Sequence, residues 1–96
     1  MKIRLLTSAE DDLLDAFYFY ERCEAGLGEH FWDTIFAEID SLKNLAGIHP
    51  VVRGYQRMLS KTFPFAIFYT IRDDAVEVKA VLDLRRRESH IEDRLQ

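Results

Sequence analysis

The chain has 96 residues and a mass of 11.3 kDa, which is enough for one small domain with a single hydrophobic core. Hydrophobic residues make up 48% and charged residues 31%, as in ordinary globular domains, so a disordered or low-complexity chain is excluded. A net charge of −4 excludes an overall electrostatic footprint for nucleic acid. We expect residues 1–96 to form one domain.

The N-terminal segment predicts a strand followed by a helix. Residues 2–6 are short and rich in branched apolar side chains, which favours a strand. A helix is predicted from about residue 9 to residue 25, because apolar residues recur there at helical spacing. Ser8 with Asp11 resembles a capping box. We interpret Asp11, Asp12 and Asp15 as exposed partners of the helix dipole.

A second helix is predicted from about residue 29 to residue 46, ending at Gly47. Gly26 and Gly28 separate it from the first helix. Because only a few residues connect the two helices, they must fold back on each other as an antiparallel hairpin.

The aromatic run from Phe17 to Tyr20 is too continuous for one helical face. Phe17 and Tyr20 fit the predicted core, whereas Tyr18 or Phe19 must reach another surface. Trp32 raises the same question on the second helix. Two interpretations stay open for these side chains, a contact with a partner protein and packing between the two helices.

After Pro50 the hydrophobic period changes from that of a helix to that of a strand. Three strands are predicted at Tyr55–Leu59, Phe65–Ile71 and Ala75–Leu84, with a hairpin turn at Asp73-Asp74. Short connections make them an antiparallel meander. The tail, residues 86–96, is predicted as a short helix or a disordered end. The fold class is therefore α+β: an N-terminal strand, a helical hairpin and a three-stranded meander in two layers.

The chain carries none of the common motifs for phosphate, dinucleotide or zinc binding or for nucleophilic catalysis. His30, His49 and His90 are too widely separated to predict a metal site. Cys23 lies beside carboxylates, which disfavours a reactive thiolate, and a single cysteine excludes an internal disulfide. We expect no metal, no cofactor, no membrane contact and a cytoplasmic location.

Basic residues are concentrated in the second half of the chain. Residues 1–49 hold ten acidic and four basic residues, whereas residues 50–96 hold seven acidic and nine basic residues. The candidate binding residues for an anionic partner are Arg53, Arg57, Lys61, Arg85, Arg86 and Arg87. These side chains either converge on one rim of the sheet as a guanidinium cluster or form a solvated sheet edge protected by charge.

The order and spacing of several segments resemble the RelE/ParE toxin superfamily over nearly the whole chain. The segments are Ala9-x-x-Asp12-Leu13, Ala46-Gly47-Ile48-His49-Pro50, Tyr55-Gln56-Arg57-Met58-Leu59, Phe63-Pro64-Phe65-Ala66-Ile67-Phe68-Tyr69 and Val81-Leu82-Asp83-Leu84-Arg85-Arg86. The last two segments contribute most to the resemblance.

The resemblance implies a toxin of a bacterial type II toxin-antitoxin system, ParE-like and of the plasmid stabilization type. Such a toxin arrests growth by binding DNA gyrase. Its partner is a small cognate antitoxin, ParD-like or of another class, whose C-terminal segment folds on the toxin and neutralises it. An acidic segment would suit a basic C-terminal rim.

A RelE-like alternative would make the chain a ribosome-dependent mRNA endoribonuclease that uses Arg57, Arg86 and His90. Ala66 stands where these nucleases commonly have arginine, and the loss of a positioned cation typically costs about 100-fold or more in rate. Asp83 stands where many relatives have histidine. The resemblance therefore favours an activity based on binding, and a non-toxic binding module on the same fold is the third alternative.

Overall fold

Five strands form one mixed sheet in the computed structural model, which describes residues 1–96. The strands are β1 (Lys2–Leu5), β2 (Val51–Val52), β3 (Tyr55–Leu59), β4 (Phe65–Arg72) and β5 (Ala75–Asp83). The helices are α1 (Thr7–Cys23), α2 (Leu27–Asp40), α3 (Leu42–Leu45) and α4 (Glu88–Arg94). The order across the sheet is β1-β5-β4-β3-β2, with β1 parallel to β5 and the other pairs antiparallel.

The antiparallel meander has four strands, β2 to β5, whereas the sequence predicted three. The strand that the prediction missed is β2. This strand has only two residues, too few to show a hydrophobic period, and it pairs Val52 with Tyr55. Arg53 and Gly54 connect β2 to β3, both with positive φ (53° and 84°). That geometry is typical of a two-residue hairpin turn. The predicted turn at Asp73-Asp74 is confirmed by the same geometry, with φ of 51° and 61°.

The predicted helical hairpin is confirmed, and Gly28 allows its two helices to approach closely. A Cβ atom on Gly28 would lie 2.6 Å from the backbone oxygen of Phe17. The Glu21 carboxylate accepts hydrogen bonds from the backbone N–H groups of Gly26 and Gly28, which fixes the connection between the helices. The second helix differs from the prediction because it is interrupted at Ser41, which separates α2 from the single turn α3.

The helical hairpin covers one face of the sheet and encloses the main core. Tyr20, Phe31 and Phe65 form its aromatic centre, with ring centroids 5.1–6.2 Å apart. The largest fully buried side chains in this core are Tyr69, Phe31, Leu13, Ile35, Leu42, Ile67, Val76, Val78 and Val81. Burial of this apolar surface is the main favourable term in folding.

The short helix α4 lies against the opposite face of the sheet. Leu95, directly after α4, is buried with Ala66, Phe68, Ala80 and Leu82, and Ile91 packs against this second cluster. Of the two alternatives for the tail, the structure therefore shows the helix. The α+β architecture of the prediction is confirmed, and a partial third layer is added to it. None of the four helices has the length and apolar character needed to cross a membrane.

Candidate functional site

A groove of about 400 Å³ opens between α1, the end of β5 and α4. Phe19, Phe65 and Val81 contribute apolar surface, whereas Asp83, Arg86 and the residues of α4 contribute charge. The full set of lining residues is Asp12, Asp15, Ala16, Phe19, Phe65, Val81, Leu82, Asp83, Arg86, His90 and Arg94.

One wall of the groove is the part of β5 that extends beyond β1. The pairing of β1 with β5 ends at Leu5 and Val78, so the following backbone groups of β5 that point away from β4 lack a strand partner on that side. Helix α1 supplies two side chains in its place. The Ser8 hydroxyl donates to the carbonyl of Lys79 (2.7 Å), and the Asp12 carboxylate accepts from the N–H of Val81 (3.0 Å). Their spacing of four residues places both on one side of α1.

This arrangement corrects the interpretation of Ser8 and Asp12 from the sequence. Leu6 is the residue that precedes α1, and no side chain caps the helix there. Ser8 is not a cap because its hydroxyl is bonded to β5. Asp12 is not an exposed partner of the helix dipole, since its side chain is only 10% exposed. Asp11 and Asp15 are exposed, as predicted.

Asp12 also links α1 to α4. Its two carboxylate oxygens accept hydrogen bonds from the Arg94 guanidinium at 2.6 and 2.9 Å, a bidentate geometry. The hydrogen bond to Asp12 raises the pKa of Arg94 above its usual value. Sequence reasoning missed this pair because the partners are 82 residues apart. The Ser8–Asp12 spacing signals only that these two side chains share one side of α1.

Asp83 and Arg85 form a second charged pair at the end of β5. The Arg85 guanidinium donates to both carboxylate oxygens of Asp83, at 2.9 and 2.7 Å, and its backbone N–H donates as well. These hydrogen bonds lower the pKa of Asp83, and the partnership raises that of Arg85. Burial raises the pKa of nearby Tyr20, whose buried hydroxyl has no hydrogen-bond partner.

The six basic candidate residues lie in different settings. Arg53 is paired with Glu92 of α4, and Arg85 is paired with Asp83. Lys61 lies in the loop after β3, where its backbone N–H donates to Glu38. The other three are Arg57 on β3, Arg86 in the groove and Arg87 at the start of α4. The guanidinium and ammonium groups of Arg57, Lys61, Arg86 and Arg87 make no ion pair.

The three candidate nuclease residues are only partly brought together. Arg86 and His90 both line the groove, whereas Arg57 does not. Arg57 lies opposite Phe68, which places it on the face of the sheet that α4 covers. Ala66 is buried beneath Leu95 on that same face, so no room is left there for an arginine side chain.

A polar cluster outside the groove ties the loop after α3 to the sheet. The Tyr69 hydroxyl accepts a hydrogen bond from the Gly47 N–H (3.1 Å) and donates to the Gln56 side chain (3.0 Å). His49 Nδ1 bonds to the same hydroxyl. Burial lowers the pKa of His49 and raises that of Tyr69. Because a hydroxyl has only one proton to donate, these partners leave Tyr69 fully engaged in holding the loop.

Cys23 is exposed, and nowhere does the structure bring three His, Cys, Asp or Glu residues together in a geometry suited to a metal ion.

The comparisons with known proteins bear on the fold. No protein-family model matches the chain, and no curated protein matches it. A solved structure described as the chromosomal ParDE TA system from P. aeruginosa is similar, with a TM-score of 0.80 and 15% sequence identity. The similarity covers 88% of this chain and 96% of the other chain. The fold is therefore ParE/RelE-like, as the sequence motifs predict.

Proposed function

We propose that the chain is the toxin of a type II toxin-antitoxin system and that it acts in the cytoplasm as a ParE-like inhibitor of DNA gyrase. A cognate antitoxin would neutralise it by binding. The observation that carries the proposal is the similarity in fold to a chain of a ParDE system, which extends over 88% of this chain. Inhibition by binding requires a shaped and charged surface and no catalytic group.

The contents of the groove support binding rather than RNA cleavage. Three carboxylates, those of Asp12, Asp15 and Asp83, face only two guanidinium groups there. Arg85 neutralises Asp83 from outside the lining, so the groove carries no excess of positive charge, on which the binding of RNA phosphates normally depends. One of its guanidinium groups, that of Arg94, is already engaged by Asp12. Arg57 lies outside the groove, so the cations that would stabilise a cleavage transition state are not assembled.

Six basic residues remain the proposed contacts to the target or the antitoxin: Arg53, Arg57, Lys61, Arg85, Arg86 and Arg87. Arg86 and Arg87 are the strongest candidates among them, because they are the arginines of the six that are exposed and not paired with an acid; Lys61 is also exposed and unpaired but has no guanidinium group. Arginine is well suited to bind partner carboxylates in bidentate geometry.

The first test is pulse-labelling of DNA and protein synthesis in a bacterial host after the chain is induced alone. Gyrase inhibition predicts that thymidine incorporation falls before amino-acid incorporation. Co-expression of the antitoxin is the control and should restore both. Earlier loss of protein synthesis would contradict gyrase inhibition, and normal growth would indicate a non-toxic binding module.

A supercoiling assay with purified gyrase tests the residues. The chain should inhibit supercoiling, and Arg86→Ala with Arg87→Ala should weaken inhibition about tenfold or more. Arg72→Ala is the control for loss of an exposed arginine elsewhere on the surface, since Arg72 lies at the far end of β4, where it contacts only Glu77 as an ion-pair partner. If both variants weakened inhibition equally, Arg86 and Arg87 would not be specific contacts to gyrase.

The RelE-like endoribonuclease is the second candidate, favoured by one observation: Arg86 and His90 line the same groove. It predicts mRNA cleavage on the ribosome that is abolished by Arg57→Ala with Arg86→Ala and strongly reduced by His90→Gln. Primer extension on a ribosome-bound message measures this. Cleavage unaltered in these variants would reject the nuclease.

A further inference from the structure

The outer face of the helical hairpin carries an exposed apolar surface that the proposed function does not use. Leu14, Phe17 and Tyr18 of α1 and Trp32 of α2 line a shallow depression of about 200 Å³, together with Glu29. Leu14 is 45% exposed and Tyr18 is 56% exposed. We call these four apolar residues the aromatic shelf. Phe17, predicted for the core, is only half-buried and lies outside the core cluster, whereas Tyr20 is in it and both Tyr18 and Phe19 reach solvent.

The aromatic shelf is held in place by its own ring contacts. Phe17 makes edge-to-face contacts with Tyr18 and with Trp32, at centroid distances of 5.3 and 5.8 Å. Trp32 packs in turn on Phe36 at 4.7 Å. Each ring therefore limits the rotation of the next. A partner that binds here would find the surface already formed and would lose little side-chain entropy.

Uncompensated negative charge surrounds the aromatic shelf. Glu10 and Asp11 lie one helical turn before Leu14, Glu29 borders the depression, and Asp33 follows Trp32. None of these four exposed carboxylates makes an ion pair. Arg22, one turn after Tyr18, is the single basic residue near the shelf on α1. Nucleic acid, an anionic membrane surface and a second copy of this acidic face would all be repelled.

We propose that the aromatic shelf is a docking site for a basic amphipathic helix of a partner protein. A shelf formed by two adjacent helices presents side-chain ridges and a groove into which a third helix can pack. The apolar stripe of the partner helix would cover Leu14, Tyr18 and Trp32, and its lysine or arginine residues would reach the surrounding carboxylates. This surface lies on a different side of α1 from the groove, and its preference for a basic partner is opposite to that of Arg86 and Arg87.

The test uses the full chain and two synthetic 18-residue helical peptides that contain no tryptophan. They share one leucine and isoleucine face, and their polar faces carry either lysine or glutamate. Trp32 is the only tryptophan of the chain, so its fluorescence reports binding at the shelf directly. We expect the lysine peptide to change Trp32 emission and to bind at least tenfold more tightly than the glutamate peptide, with affinity falling at high salt.

Variants separate the shelf from general attraction to an acidic protein. Leu14→Ser with Tyr18→Ser should lower the affinity for the lysine peptide at least tenfold in calorimetric titration. Glu29→Lys with Asp33→Lys should make the chain bind the glutamate peptide more tightly than the lysine peptide. Ile48→Ser with Leu59→Ser is the control, because these apolar side chains are also exposed, at 72% and 52%, and do not line the shelf. Equal losses in shelf and control variants, or no change in Trp32 emission on binding, would overturn the proposal. The assay requires no toxicity, so its outcome is independent of the proposed function.

Discussion

Asp12 joins three elements of the fold through one carboxylate. Asp12 is part of α1. Its carboxylate accepts a hydrogen bond from the Val81 N–H at the unpaired edge of β5, and it binds the Arg94 guanidinium of α4. Charge-assisted hydrogen bonds of this kind are about twice as strong as neutral ones. Asp12 therefore has a structural role, and the carboxylates in the groove that remain free to meet a ligand are those of Asp15 and, in part, Asp83.

Replacement of Asp12 tests this role. Asp12→Ala should lower the free energy of unfolding by about 2 kcal/mol, because it leaves the Val81 N–H and the Arg94 guanidinium without their acceptor. The free energy of unfolding of Asp12→Asn should lie between those of the native chain and Asp12→Ala, since asparagine keeps a neutral acceptor. Urea unfolding followed by circular dichroism measures both, with Asp33→Ala as an exposed control. A loss below about 0.5 kcal/mol for Asp12→Ala would contradict the role.

Asp83 should make stability depend on pH in the acid range. The Arg85 hydrogen bonds lower its pKa in the folded state, so the pair stabilises the fold above the carboxyl's unfolded pKa near 4. This contribution is lost as the pH falls through the lowered pKa. Because Arg85 is 55% exposed, solvent limits the contribution to about 1 kcal/mol or less.

The measurement is a series of urea unfolding curves between pH 7 and pH 2.5 for the native chain and Asp83→Asn. The variant should be less stable at neutral pH, and the difference should disappear at the acid end. Asp33→Asn, which removes an unpaired carboxylate, should show no such convergence. A constant difference at every pH would show that the loss comes from something other than the charge of Asp83.

At the scale of elements, the hairpin of α1 and α2 depends on close contact at a single position. Gly28 is buried against the backbone of α1, and the first turn of α2 is anchored there by Glu21. Two helices can pack this closely only where one of them presents no side chain. The same contact sets how Phe17 and Trp32 meet, so it also positions the aromatic shelf.

Gly28→Ala should therefore destabilise the protein although alanine is normally the better helix former. The new methyl group would meet the Phe17 carbonyl at 2.6 Å and force the helices apart, at a cost of about 2 kcal/mol. Thermal unfolding provides the measurement, and Glu29→Ala, on the exposed side of the same turn, is the control. A Gly28→Ala variant as stable as the native chain would show that α2 can shift without loss.

The elements themselves were predictable where a hydrophobic period extends over many residues. Helix α1 and strands β3, β4 and β5 are long enough to show one, and the aspartates between β4 and β5 mark a turn by local chemistry alone. β2 is too short for any period, and the interruption at Ser41 leaves the apolar spacing intact. The groove could not be predicted, because its walls are joined by pairs such as Asp12–Arg94 that only the fold brings together.

At the scale of the whole molecule, the two faces of the sheet are covered unequally. The helical hairpin spans one face, whereas α4 covers only part of the other, where Leu95 and Ile91 contact the second cluster. The ion pairs of Arg94 with Asp12 and of Arg53 with Glu92 hold α4 at its place. No residue of α4 belongs to the main core, so we expect this core to remain folded when α4 is removed.

A chain that ends at Arg87 tests that expectation. It should keep the α+β circular dichroism spectrum apart from the signal of one short helix, because the hairpin and all five strands remain. Its melting temperature should fall, since Ala66, Phe68, Ala80 and Leu82 become exposed to water. The uncovered apolar face should bind a fluorescent hydrophobic dye and associate at high concentration, which light scattering measures. Removal of Gln96 alone is the matched control, because it leaves Leu95 in place. An unchanged melting temperature without dye binding would show that α4 does not protect this face.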